Sequence, residues 1–143
     1  MAGKFRCILL LIAGLFVSSL SYAENTEIPS YEEGISLFDV EATLQPDGVL
    51  DIKENIHFQA RNQQIKHGFY RDLPRLWMQP DGDAALLNYH IVGVTRDGAP
   101  EPWHLDWHIG LMSIVVGDKQ RFLPQGDYHY QIHYQVNEYC RGR

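Results

Sequence analysis

Seven histidines, eighteen acidic residues and a dense set of aromatic rings are the parts of this 143-residue chain that could do chemistry. Histidine spacing raises a metal site first. His104 and His108 are four apart, as are His129 and His133, and on a helix each pair would share one face. On a strand the rise is about 3.3 Å per residue, so the members of a pair stand roughly 13 Å apart. Zinc draws its ligands to within about 2 Å of one point. A metal site would therefore need cross-strand pairing, for example of His104 with His129 or His133. The expectation is solvent-facing histidines, no metal and no cofactor. Nucleophilic catalysis has less support. After residue 23 the serines are Ser30, Ser36 and Ser113, and none sits in a G-x-S-x-G turn. No Gly-rich phosphate loop occurs, and no pair of carboxylates stands out by spacing. No catalytic residue is assigned.

Two other constellations remain. Glu54 falls on the same alternation face as Leu50, Ile52, Ile56 and Phe58, so its carboxylate would be buried and would need a partner. Arg71 is the best candidate, because its planar fork holds a carboxylate through two hydrogen bonds. The pair would act as a structural clamp between a strand and a long loop. A β-bulge turning Glu54 outward is the competing arrangement. The second constellation is aromatic. Phe69, Tyr70, Trp77, Trp103, Trp107, Tyr128, Tyr130 and Tyr134 are many for one small domain. Alternation sends most of them to a core. The remainder is expected around Tyr70 and Trp77, in a candidate binding loop carrying His67, Phe69, Tyr70, Arg71, Asp72 and Trp77. Loops on rigid scaffolds commonly carry binding, and exposed rings offer contact area at low entropic cost.

The elements that must position these residues read as strands. Phe38, Val40, Ala42 and Leu44 alternate with polar residues, and so do Leu50, Ile52, Ile56 and Phe58. Between them Gln45-Pro46-Asp47-Gly48 is a tight-turn sequence. Arg96-Asp97-Gly98-Ala99 is a second hairpin signal, joining a strand near 89–95 to one near 103–107. Ile109-Gly110 turns into a strand over 111–116. Tyr128, Tyr130, Ile132, Tyr134 and Val136 then alternate with His129, Gln131, His133 and Gln135. The connection 61–86 is the exception. It is too apolar to be a solvated linker and too long to be structureless, so it is expected to pack on the sheets with at most one short strand of its own. No 3.6-residue stripe appears after residue 23. The class is all-β, an antiparallel β-sandwich of immunoglobulin-like kind.

The start of the chain gives an address. Lys4 and Arg6 precede an apolar run over 7–17, and Ser21-Tyr22-Ala23 supplies small residues where a signal peptidase cuts. The run is shorter than the roughly 20 residues of a membrane span; an uncleaved anchor is the alternative. The organisation expected is a signal peptide over 1–23, a polar linker over 24–34, a β-domain over 35–136 and a tail over 137–143. Cleavage after Ala23 removes two of the twelve basic residues, leaving ten against eighteen acidic ones, a net charge of −8. An acidic surface disfavours nucleic acid, which needs a positive patch. Cys140 is then the only cysteine left, and one thiol forms no internal bridge.

Several segments together carry a family resemblance. They are Phe38-Asp39-Val40; Gln45-Pro46-Asp47-Gly48 with Asp51-Ile52-Lys53-Glu54; His67-Gly68-Phe69-Tyr70-Arg71-Asp72-Leu73-Pro74; and Val94-Thr95-Arg96-Asp97-Gly98. From Ile35 to Val136 the chain resembles the YciQ-like family of bacterial predicted membrane proteins. The resemblance implies an extracytoplasmic N-terminal domain of unknown function, rich in β-structure, ahead of transmembrane helices. No activity, cofactor or catalytic residue comes with it. It also implies that the chain is truncated, because family members continue into the membrane. The sandwich would then be incomplete at its C-terminal end. The function expected is a binding or structural module of the cell envelope, exported to the periplasm, whose partner is a protein or an envelope glycan. In full-length members the downstream helices would attach it to the inner membrane. An envelope hydrolase or metal-dependent enzyme using the His-rich strand faces is the alternative, and a non-functional fragment is another.

Overall fold

The computed structural model describes residues 32–139, and every regular element among them is a strand. β1 (Gly34–Leu44) and β2 (Leu50–Ala60) form the first hairpin. Its turn closes with Gly48 N–H donating to the Gln45 carbonyl at 2.9 Å, while Gly48 takes φ 86°. Pro46 presets the first turn position, and glycine accepts the left-handed one. β9 (Gly126–Tyr139) lies against β2 in an unbroken antiparallel register, from Leu50 opposite Val136 to Ala60 opposite Gly126. β5 (Ala84–Arg96) pairs with the other side of β9, and the short β4 (Leu76–Met78) and β6 (Ala99–Pro100) pair with β5. The first sheet thus runs β1-β2-β9-β5-β4, with β6 as a sixth strand.

β3 (Gly68–Pro74), β8 (Leu111–Gly117) and β7 (Trp103–His108) make a three-stranded second sheet in that order. The two layers close on Ile56, Phe58, Tyr130, Ile132 and Tyr134 from the larger sheet and Leu73, Met112, Ile114 and Val116 from the smaller. The antiparallel sandwich follows from sequence period. Each strand buries alternate side chains, so two sheets must meet to cover them. β8 sits in the middle of its sheet, and Met112 to Val116 are buried without a break.

Three local expectations change. The connection 61–86 is no loop: it supplies β3 and β4, one to each sheet. The Asp97-Gly98 turn is present, with both residues at positive φ as its two-residue geometry requires. Its second strand, however, is β6, not the strand at 103–107. Pro100 and Pro102 lack N–H groups, so the ladder stops there and the chain crosses to the second sheet. Finally, β1 was expected to bury one face. Phe38 and Val40 remain 45% and 46% exposed, because only three strands oppose six. The signal peptide, most of the linker over 24–34, Cys140 and the end of the tail lie outside the described residues.

Candidate functional site

β2 carries Glu54 inward because its ladder with β9 has no bulge. The residue is 1% exposed, a buried charge among core side chains. Arg71, on the inward face of β3, donates from Nε to Oε2 and from Nη2 to Oε1, both at 2.8 Å. The Tyr134 hydroxyl donates to Oε1 at 2.7 Å. Burial pushes the Tyr134 hydroxyl well above its ordinary pKa, and the hydrogen bond to Glu54 pushes the same way. Glu54 raises the pKa of Arg71 by accepting the guanidinium's hydrogen bonds, against the opposing effect of desolvation. Arg71 also lies 5.5 Å from the ring centre of Phe38 on β1. One carboxylate therefore ties β2, β9 and β3 together, and one guanidinium reaches on to β1. Its two-pronged, buried geometry suits cross-linking of the two sheets, not proton transfer.

The outward face of β3 builds something different. Tyr70 sits opposite Val115 of β8, which sits opposite His104 of β7. Around them opens a cleft of about 270 Å³ whose rim includes Lys66, His67 and Lys119. Tyr70 is 64% exposed. At one end Gly68 pairs with Gly117. A Cβ on Gly68 would overlap the Val116 carbonyl oxygen, and a Cβ on Gly117 would overlap that of His67. Only two glycines let these backbones approach so closely. The rim is held from below. Glu33 accepts N–H groups of Arg61, Gln63, Gln64 and Ile65 at 2.6–2.9 Å. Desolvation alone would raise its pKa, but the four donors outweigh it and hold the carboxyl at about 2. His67 Nδ1 lies 3.0 Å from the Arg121 carbonyl, and its ring meets Phe122 edge-on. In an acidic chain the cleft gathers two lysines and two histidines around an aromatic wall, with Asp118 the one carboxylate among its lining residues.

The residues expected to form one binding loop are divided by strand alternation. Phe69 and Arg71 point inward; Phe69 stacks on Phe58 at 5.4 Å and meets Tyr130 edge-on at 5.0 Å. Tyr70 and Asp72 point outward, and Asp72 accepts a 2.6 Å hydrogen bond from Ser113. His67 lines the cleft. Trp77 lies on β4 of the other sheet, exposed but not beside Tyr70 in either ladder. Lys66 and Lys119 escaped the sequence reading, and His104 entered it only as a metal candidate. The Tyr70–Val115–His104 row depends on pairing between distant strands, and no local signal announces it. The cross-strand histidine pairing that a metal site would need is not the pairing present. His104 is on the second sheet, while His129 and His133 are on the first. His129 faces His57 of β2, ring centres 4.8 Å apart, and His133 contacts Asp51 at 3.0 Å. Asn55 and Gln131 join them by a 3.0 Å hydrogen bond, making a polar ladder on the outer face. Among the described residues no three His, Cys, Asp or Glu side chains converge as a metal site.

Fold and site together define a β-domain that displays polar, partly aromatic strand faces on a clamped two-sheet frame. The chain belongs to the family described as predicted membrane protein (DUF2207) N-terminal domain, whose model matches residues 34–141. Over 136 residues it is 99% identical to "Uncharacterized protein YciQ" of Escherichia coli (strain K12). That match covers 95% of this chain and 22% of the relative, so the chain spans about a fifth of the relative's length. No solved structure matches. Among the described residues no helix is long and apolar enough to cross a membrane.

Proposed function

We propose that this domain is an extracytoplasmic binding module of a membrane protein, and that the cleft beside Tyr70 is its binding site. The observation that carries the reading is the gathering of Lys66, Lys119, His67 and His104 around an exposed tyrosine in an otherwise acidic chain. A cationic rim beside an aromatic wall suits a polar, negatively charged envelope component, with charge supplying attraction and the ring supplying stacking area. Extracytoplasmic placement is supported by the basic, then apolar, then small-residue order over 1–23. Attachment to a membrane is supported by the family's description. A glycan is favoured over a protein partner because the cleft is small and open, whereas specific protein interfaces bury about 800 Å² per partner.

Titration of the chain with soluble anionic peptidoglycan fragments, followed by amide chemical shifts, tests the reading. Saturable shifts centred on 66–70 and 115–119 are expected, weakening as salt rises. The double variant Lys66→Ala/Lys119→Ala should bind about tenfold more weakly. Shifts elsewhere, or binding indifferent to both substitutions, would remove the cleft from consideration.

A further inference from the structure

The described sandwich has an unfilled place. β3 ends the second sheet: it pairs with β8 on one side and with no described strand on the other. That free side faces β1. Phe69 and Arg71 of β3 lie over Phe58 and Glu54 of β2, and Arg71 reaches past β2 to Phe38. Beyond Arg71 nothing described covers the inner face of β1. Ile35, Phe38, Val40 and Leu44 are 56%, 45%, 46% and 71% exposed there. Pairing puts all four on the core side, since their β2 partners are Phe58, Ile56, Glu54 and Leu50, with a register shift after Ile35 that keeps it on the same face as Phe38. A contiguous apolar strip beside an open strand edge marks an interaction surface.

We propose that this place is taken, in the longer relative, by a strand from the same polypeptide, contributed by the region beyond the segment it shares with this chain. It would pair with the free edge of β3 and lay its apolar side on Phe38 and Val40. Three observations select this occupant. First, the relative carries far more chain, of which the present one spans 22%. Second, the direction fits. β9 runs from Gly126, opposite Ala60, toward Val136, opposite Leu50, and Leu50 in turn pairs with Leu44 at the end of β1. Chain leaving β9 therefore emerges at the Leu44 end of the strip. β3 runs the same way as β9, with Phe69 near Tyr130 and Arg71 bound to Glu54, to which the Tyr134 hydroxyl also donates. A segment reversing after β9 would be antiparallel to β3, like every other pair in the fold. Third, self-pairing through the free edge of β1 in the register that places Val40 against its own copy is disfavoured. An antiparallel β1 pair centred on Val40 would set Asp39 against Glu41 of the second copy, and like charges directly opposite are destabilising.

Cysteine labelling tests the assignment, and the result does not depend on what the Tyr70 cleft binds. Val40→Cys and, separately, Asp39→Cys are placed in this chain and in the full-length relative, each with its native cysteines replaced by serine. A polar maleimide then reports access in the purified proteins. Position 40 faces the strip and position 39 the outer surface. The expected result is at least tenfold slower labelling at 40 in the full-length protein than in this chain, with 39 equally fast in both. Equal rates at 40 would overturn the proposal. So would protection in this chain alone that grows with its concentration, since the occupant would then be a second copy. Slowing at 39 and 40 alike would also overturn it, because general burial does not require a strand in that place.

Discussion

At the scale of single residues, the Glu54–Arg71–Tyr134 cluster should dominate stability. Breaking one side of a buried ion pair leaves an uncompensated charge, which costs about 3–5 kcal/mol, while replacing both partners costs less. Arg71 keeps 31% of its side-chain surface, so Arg71→Met should fall at the low end, about 3 kcal/mol. Glu54→Gln combined with Arg71→Met should cost less than the sum of the two single changes, read as a coupling energy by urea denaturation. Absence of coupling would mean that the ion pair contributes nothing. Two tyrosines offer a paired comparison. Tyr134→Phe removes a donor to a buried carboxylate and should cost about 2 kcal/mol. Tyr130 is fully buried, yet its hydroxyl has no well-formed hydrogen bond, and burial raises its pKa to about 12. Tyr130→Phe should therefore change stability by less than about 1 kcal/mol, or raise it. Glu54 was legible in the sequence as a charge on an apolar face. Tyr134, 80 residues away, was not.

At the scale of elements, the entry to β3 is the most demanding backbone in the structure. Gly68→Ala or Gly117→Ala should each cost more than about 3 kcal/mol, because the new methyl group meets a backbone carbonyl that cannot move without breaking the β3–β8 ladder. Gly93→Ala is the control: a Cβ there meets open space, and the same change should be neutral or mildly stabilising. Equal losses at 68 and 93, measured by thermal melts, would contradict the crowding. The loop over 61–65 carries a pH dependence. Glu33 titrates at about 2, below its usual 4.5. Its contribution is thus complete above pH 4.5 and is lost as pH falls toward 2. The melting-temperature gap between the protein and Glu33→Gln should shrink across that window. A gap constant from pH 7 to 2 would show that the carboxylate charge is not what holds the loop. Turn chemistry made both hairpin turns legible, but proline ended β6 after two residues and moved 103–108 to the other sheet. The motif at 67–74 looked like loop because its alternation mixes Arg71 with Phe69 and Leu73.

At the scale of the molecule, β9 is decisive. It lies between β2 and β5 and supplies Tyr130, Ile132 and Tyr134 to the core. Ending the chain before Gly126 should abolish the fold, seen as loss of near-ultraviolet circular dichroism from fixed aromatic rings. A retained aromatic signal would show that the hairpins hold together without their central strand. By itself the sequence determined the all-β class, the turns, which residues of β1, β2 and β9 share the core-side face, and the buried charge that needs a partner. All of these follow from local rules: period two, φ preferences, and the cost of desolvating an ion. Only the tertiary structure decided which strands are neighbours. That choice brought Tyr134 to Glu54, set Tyr70 beside Val115 and His104, separated Tyr70 from Trp77, and left the inner face of β1 uncovered. Strand pairing is a contest between distant segments, and its outcome depends on how whole apolar faces close on one another, which no local stretch records.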